Sequence, residues 1–119
     1  MNTRSPRNTL PEYTEVRLVS ERGAYDLFQA ARLAGAAVMG YAADNPDDIV
    51  WGARQYVDTL GIGDPAARER KLGEAINFIT AGGFAVQVTV PLTDEATRFG
   101  LSPTAVLDAE LARLQGMAN

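Results

Sequence analysis

The sequence predicts an α+β domain that is mostly helical, with the element order β-α-α-α-β-α-α. Two segments alternate apolar and other residues with a period of two, which is typical of strands. Longer segments repeat apolar residues at steps of three and four, which is typical of helices packed on one face. Three dipeptides that combine a capping residue with proline mark helix starts. The two strands are expected to form a small two-stranded sheet, either within one chain or across a dimer.

The chain of 119 residues is the size of one domain with a single core. Residues 1–12 contain two prolines and mostly polar side chains, so they are predicted to be a flexible arm. Residues 13–119 are predicted to form a single compact domain. The first twelve residues hold no apolar run of the kind found in secretory signals, so a cytoplasmic location is expected.

The first strand and a long helix are predicted for the first third of the domain. In "YTEVRLVS", from Tyr13, Val16 and Leu18 share one side and Arg17 the other. The next segment, residues 21–44, repeats apolar residues at helical spacing and is predicted to be one long helix. Its part from residue 33 to 43 has no charged residue, yet it spans only about 16 Å as a helix against about 30 Å of bilayer hydrocarbon. It is therefore expected to be a core helix, and covering it on all sides favours a second copy or another partner.

Three helix starts share one pattern, in which an Asn, Asp or Ser side chain precedes a proline at the first helical position. They are Asn45-Pro46, Asp64-Pro65 and Ser102-Pro103. The first of these helices is predicted to end at Gly61, and the second at the glycine pair of residues 82–83. A short helix from Thr93 to Gly100 is expected before the third.

The segment "FAVQVTVPL" is the second predicted strand. Val86, Val88 and Val90 fall on one face, and Gln87 and Thr89 fall on the other. This strand can pair with the Tyr13 strand of the same chain or with its own copy in a dimer. The sequence leaves both arrangements open.

The segment from residue 84 to 114 resembles two DNA-binding families. The strand, the short helix and the "GLSPT" turn at residues 100–104 are similar to the ribbon-helix-helix repressors and antitoxins, in which a strand pairs across a dimer axis. The small and apolar positions around Gly100 also resemble a helix-turn-helix. Either resemblance implies a dimeric DNA-binding regulator. The DNA contacts expected on this hypothesis are Arg4, Arg7, Gln87, Thr89, Ser102 and Thr104.

The charge distribution disfavours DNA as the partner. Eleven basic and fifteen acidic side chains give a net charge of −4. From residue 84 to 119 two arginines stand against four acidic residues, which is a local charge of −2. Neutralisation of phosphates by cations supplies much of the affinity of proteins for DNA.

The residue types also argue against an enzyme. The sequence contains no cysteine, which excludes a cysteine nucleophile and thiolate metal sites, and no histidine, which removes the commonest base and metal ligand. The adjacent acids Asp47-Asp48 and Asp94-Glu95 fall in first turns of predicted helices, where the helix dipole accounts for them. No catalytic residue, cofactor or metal site is predicted. A small enzyme without histidine remains a third class.

The predicted function is therefore protein binding, as an assembly or accessory component that acts through homo-oligomerisation or through an apolar helical interface. The partner is expected to be the protein itself, another protein, or both, and no membrane. Trp51 lies one residue off the apolar stripe of its helix and is predicted to be an exposed interface anchor. The predicted interface residues are Tyr41, Trp51, Leu107, Leu111 and Leu114.

Overall fold

A computed structural model describes residues 11–41 and 45–117 of the chain. It confirms the α+β class, with helices as the larger part. In chain order the elements are β1 (Glu12–Val19), α1 (Glu21–Ala34), β2 (Ala37–Tyr41), α2 (Pro46–Leu60), α3 (Pro65–Thr80), β3 (Phe84–Pro91), α4 (Asp94–Arg98) and α5 (Ala105–Met117).

The described strands form one antiparallel sheet in the order β1-β3-β2. The central strand β3 pairs with β1, where Val90 lies opposite Tyr13, and with β2, where Val88 lies opposite Val38. The two predicted strands therefore meet within one chain. Both edges of β3 are occupied inside the molecule.

The prediction of one helix over residues 21–44 is wrong beyond Ala34. Gly35 adopts a left-handed φ of 71° and its N–H donates to the carbonyl oxygen of Ala31, which ends α1. Residues 37–41 then form β2, so the sheet has three strands and not two. A short apolar run of this kind has the same pattern in a buried helix and in a strand. The left-handed glycine is the signal that separates them.

Helices cover both faces of the sheet. The face of β3 that carries Val86, Val88 and Val90 packs with α1 and with Leu107 of α5. The opposite face, which carries Ala85, packs with α2 and α3. Alternate residues of a strand point to opposite faces, so the predicted two-sided pattern of β3 is confirmed.

Two of the three predicted helix starts are confirmed in detail. The side chain of Asn45 accepts from the amide of Asp47 at 2.9 Å, and α2 begins at the following proline. Asp64 accepts in the same way from the amide of Ala67 at 3.1 Å at the start of α3. The third start differs, because Pro103 lies in a turn and α5 begins at residue 105. There the carbonyl oxygen of Ser102 accepts from the amide of residue 105 at 3.1 Å.

The predicted boundary between arm and domain lies inside the sheet. Glu12 is the first residue of β1 and pairs with Pro91, while the carbonyl oxygen of Pro11 accepts from the amide of Leu92 at 2.8 Å. Residues 1–10, with the predicted DNA contacts Arg4 and Arg7, lie outside the described residues. Within the ranges 11–41 and 45–117, no helix is long and apolar enough to cross a membrane.

Candidate protein interface

Strand β2 forms an open edge of the sheet. It pairs with β3 on one side, and no other described strand pairs with its second side. Ala37, Met39 and Gly40 are exposed along it. Natural edge strands are often protected by lysine, proline or inward-pointing charges, and "AVMGY" contains none of these. Among the described residues, no strand takes up the outward N–H and C=O groups of β2, so these groups can pair with another strand.

The opposite edge, strand β1, is protected. The amide of Val16 donates to Oγ1 of Thr59 in α2 at 3.1 Å, so a helix side chain occupies a main-chain group of this edge. Glu15 and Arg17 share the face of β1 that looks toward α1 and α5, because they lie opposite Val88 and Val86. Charges that point inward are a known device against edge-to-edge pairing. The two edges of this sheet therefore differ in what they offer to a second chain.

Phe28 of α1 lies beside the open edge, and Tyr25 lies one turn before it on the same side of the helix. Tyr25 is 62% exposed and Phe28 is 40% exposed. The Cζ atom of Phe28 lies 4.0 Å from the position that a β-carbon on Gly40 would occupy, which places the ring over β2. We call Tyr25, Phe28, Met39 and Gly40 the β2-side surface. Gly40 lies opposite Val86 on the α1 face of the sheet, whereas Met39 lies opposite Gln87 on the face of α2 and α3. The β2-side surface therefore combines an unprotected strand edge with exposed apolar side chains on both faces, features that recur at protein-binding sites.

A chain of polar side chains joins β1 to α5. Arg17 donates from Nε to Glu15 at 2.5 Å and lies 2.9 Å from Oδ1 of Asp108 through its terminal nitrogen. Oγ1 of Thr104 donates to Oδ2 of Asp108 at 2.7 Å, and the Tyr13 hydroxyl donates to Glu15 at 2.8 Å. Each acid is thus held by an arginine and by a hydroxyl. We call these five residues the β1–α5 cluster.

The electrostatics of the β1–α5 cluster favour the charged arginine and the neutral tyrosine. Burial alone lowers the pKa of Arg17, but its hydrogen bonds with Asp108 and Glu15 outweigh burial and raise that pKa above its usual value. The hydrogen bond to Glu15, followed by burial, raises the pKa of Tyr13. Opposite charges add to the hydrogen bonds in raising the pKa of Arg17, whereas the negative charge of Glu15 adds to the rise in the pKa of Tyr13. The ion pair of Arg17 with Asp108 joins β1 to α5.

Two cavities lie away from the β2-side surface. A groove of about 530 Å³ between α2 and α3 carries Arg54, Asp58, Arg68 and Glu69 on its walls, and Arg68 is bonded to Asp58 at 2.6 Å across it. A smaller pocket of about 180 Å³ lies where α4 and α5 meet the end of β3. The walls of the groove combine two arginines with two acids, so the groove does not select a ligand of one charge.

The predicted interface residues fall in four different environments. Tyr41 is the last residue of β2, and Trp51 is exposed on α2. Leu107 is 1% exposed and belongs to the core between α1, α5 and the sheet. Leu111 and Leu114 are half-buried and pack against that same core. The side chain of Leu107 is therefore used within the chain and is not at the surface.

The predicted DNA contacts that lie within the described ranges are not brought together. Gln87 and Thr89 occupy the central strand, on the face that they share with Val16. Ser102 and Thr104 lie at the turn before α5, which packs on the other side of the sheet, and Thr104 is buried. These four residues form no common surface.

Tyr25, Phe28 and Met39 lie in the segment that the sequence predicts to be a core helix, yet all three are exposed. The signal for the first two was present, since residues 25 and 28 fall on a different side of the helix from Leu27 and Ala31, which face the sheet. Met39 was missed because β2 was read as part of a helix.

Comparisons with known proteins found no relative of this chain. No family model matches the chain. Neither the search of curated proteins nor that of solved structures found a match.

Proposed function

We propose that this protein is a small, non-enzymatic assembly or accessory protein that works by binding protein chains, in the first place a second copy of itself, through the β2-side surface. The observation that carries this proposal is the open edge of β2 with Tyr25 and Phe28 beside it. The absence of histidine and cysteine from the sequence supports a function without side-chain catalysis.

The energetics of the surface support association. Aromatic side chains bury about 150–250 Å² each when they are fully covered, and apolar burial contributes roughly 25 cal/mol per Å². Tyr25 still exposes 62% of its surface, and Met39 exposes 53%. A second chain that covers them gains this burial together with the main-chain hydrogen bonds of a new strand pair.

The choice of β2 over β1 follows from the contrast between the edges. A partner strand at β1 would have to displace Thr59 from the amide of Val16 and would meet a strand that carries Glu12, Glu15 and Arg17. A partner strand at β2 meets uncharged residues only. Association through β2 therefore avoids both costs.

The test measures the mass of the full chain in solution by size exclusion with light scattering over a range of concentrations. We expect a dimer that dissociates on dilution. The variant Met39→Lys places a charge on the β2 edge and is expected to shift the protein to monomer. Its matched control is Leu60→Lys, because Leu60 is 42% exposed at the end of α2, next to Thr59, whose side chain bonds to the opposite edge strand β1. We expect the control to remain dimeric.

The outcomes discriminate between the functional classes. A monomer at every soluble concentration overturns the proposal. Equal loss of the dimer in both variants overturns the assignment to β2. Titration of the same sample with random duplex DNA tests the regulator hypothesis, because binding that weakens steeply with added salt is the signature of phosphate contacts and would replace the proposal.

A further inference from the structure

One side of α1 carries a stripe of four exposed residues. Glu21, Tyr25, Phe28 and Arg32 are spaced by four, three and four residues, which places them along one line of the helix surface. All four are exposed. We call these residues the α1 stripe. A spacing of four and three is the one by which helices pack against each other in coiled coils.

The charges at the two ends of the α1 stripe have opposite signs. Glu21 lies in the first turn of α1 and Arg32 in the last turn. Neither forms an ion pair with another described residue, whereas Arg22 on a different side of the helix lies 3.5 Å from Asp26. The stripe is therefore neutral overall, although the protein has a net charge of −4.

Two copies of the α1 stripe match each other when they run in opposite directions. The midpoint between Glu21 and Arg32 is also the midpoint between Tyr25 and Phe28. In two antiparallel copies of α1 related by a two-fold axis at that point, each glutamate faces the partner's arginine and each tyrosine faces the partner's phenylalanine. A two-fold interface requires this kind of self-complementary patch.

The open edge of β2 fits the same axis. The ring of Phe28 lies over Gly40, so the middle of the α1 stripe lies above β2. Two β2 strands that pair antiparallel are also related by a two-fold axis. The sheet order would then become β1-β3-β2-β2-β3-β1, and the two α1 helices would lie antiparallel on one face of the joined sheet.

We infer that the second copy binds with its α1 antiparallel to the first, so that Glu21 faces the partner's Arg32, while the two β2 strands join the sheets. This inference rests on the proposed homo-oligomeric function and specifies its geometry. The charges set the direction and register of the partner, and the aromatic pair and the strand edge supply the contact area.

Charge reversal tests the geometry. Either Glu21→Arg or Arg32→Glu turns the two attractive pairs of the dimer into two repulsive ones, and we expect the dimer Kd to rise about tenfold at low salt. An equimolar mixture of the two single variants is expected to dimerise about as tightly as the wild type, because one chain then carries two positive ends and the other two negative ends. The double variant Glu21→Arg with Arg32→Glu is expected to recover the homodimer.

The matched control is Arg22→Glu, a charge reversal in the same helix but on a different side. We expect its dimer Kd to stay near that of the wild type. Circular dichroism of each variant checks that α1 is folded, since reversal at either helix end also removes a favourable contact with the helix dipole.

The outcomes separate this inference from the proposed function. A wild-type protein that is monomeric overturns both. A wild-type dimer with the same Kd in both single variants and no gain on mixing overturns the antiparallel arrangement and leaves homo-oligomerisation standing. A loss of affinity in Arg22→Glu as large as in the single variants, again with no recovery on mixing, also overturns the arrangement, because it shows a general effect of charge.

Discussion

The amide nitrogen of Val16 in β1 and the Oγ1 atom of Thr59 in α2 are 3.1 Å apart, so a helix side chain completes the hydrogen bonding of an edge strand. The same Oγ1 donates to the carbonyl oxygen of Gln55 at 3.0 Å, which fixes its direction. The contact ties α2 to the sheet. It also occupies a backbone group of this edge that a second chain would need.

We predict that Thr59→Val lowers the free energy of unfolding by about 1 kcal/mol, the usual net value of one hydrogen bond. Urea denaturation measures the change. The control Thr80→Val alters an exposed threonine near the end of α3 and is expected to change the stability by less than about 0.5 kcal/mol. Equal effects in the two variants would show that the Val16 contact contributes nothing.

Substitution of Leu107 tests whether this leucine of α5 belongs to the core of the chain. Leu107 is 1% exposed, and its neighbour Val106 is 64% exposed. Leu107→Ala is expected to lower the free energy of unfolding by about 2–5 kcal/mol because it leaves a cavity in the core. Val106→Ala is expected to change it by less than about 0.5 kcal/mol. A variant at Leu107 that keeps its stability but loses the dimer would return this residue to the interface.

Substitution of Gly35 tests the end of α1, which the sequence did not predict. Gly35 has a φ of 71°, a conformation that other residues adopt only with strain. Gly35→Ala is expected to lower the free energy of unfolding by about 1 kcal/mol or more. In contrast, Gly73→Ala within α3, where no atom lies within 4 Å of the new methyl group, is expected to raise it by about 0.5–1 kcal/mol. Thermal unfolding of both variants decides, and a stabilising Gly35→Ala would contradict the left-handed helix end.

The hydroxyl of Tyr13 is expected to stabilise the fold up to alkaline pH and to lose this effect at higher pH. The pKa of Tyr13 is raised by its hydrogen bond to Glu15, so the folded state holds the proton to a higher pH than the unfolded chain does. The stability from this bond is fully present below about pH 10 and is lost as pH rises through the folded pKa. We therefore expect Tyr13→Phe to be less stable than the wild type by about 1 kcal/mol below pH 10, and this difference to shrink above it.

Urea denaturation of both proteins from neutral to strongly alkaline pH provides the measurement for Tyr13. The groups that the two proteins share titrate alike, so the difference between their curves reports this hydroxyl. The difference in tyrosinate absorbance between the two proteins gives the pKa directly. A stability difference that stays constant across the alkaline range would contradict the bond to Glu15.

Local signals in the sequence predicted much of the fold. The caps at Asn45 and Asp64, the alternation of β3 and the end of α2 at Gly61 are set by neighbouring residues, and all four are confirmed. The third strand was missed because Val38 and Met39 follow alanine and glycine, a composition that fits a buried helix and a strand alike. For such a segment, the elements that pack against it decide whether it forms a helix or a strand.

The candidate interface depends on relationships that no local pattern contains. The exposure of Tyr25 and Phe28 follows from which side of α1 the sheet covers, and the open edge of β2 follows from the insertion of β3 between β1 and β2. The bond between Arg17 and Asp108 joins residues that are far apart in the sequence. Periodicity predicts that a helix has faces, but it does not predict which neighbour covers each face.

The sheet order also governs when this molecule can fold during its synthesis. β1 and β2 leave the ribosome early, and neither has a hydrogen-bonding neighbour until β3 has been made, after all of α2 and α3. At about 5–20 residues per second, the nascent chain waits roughly several seconds after completing β2 before its sheet can close. During that interval neither side of β2 has a pairing strand from its own chain.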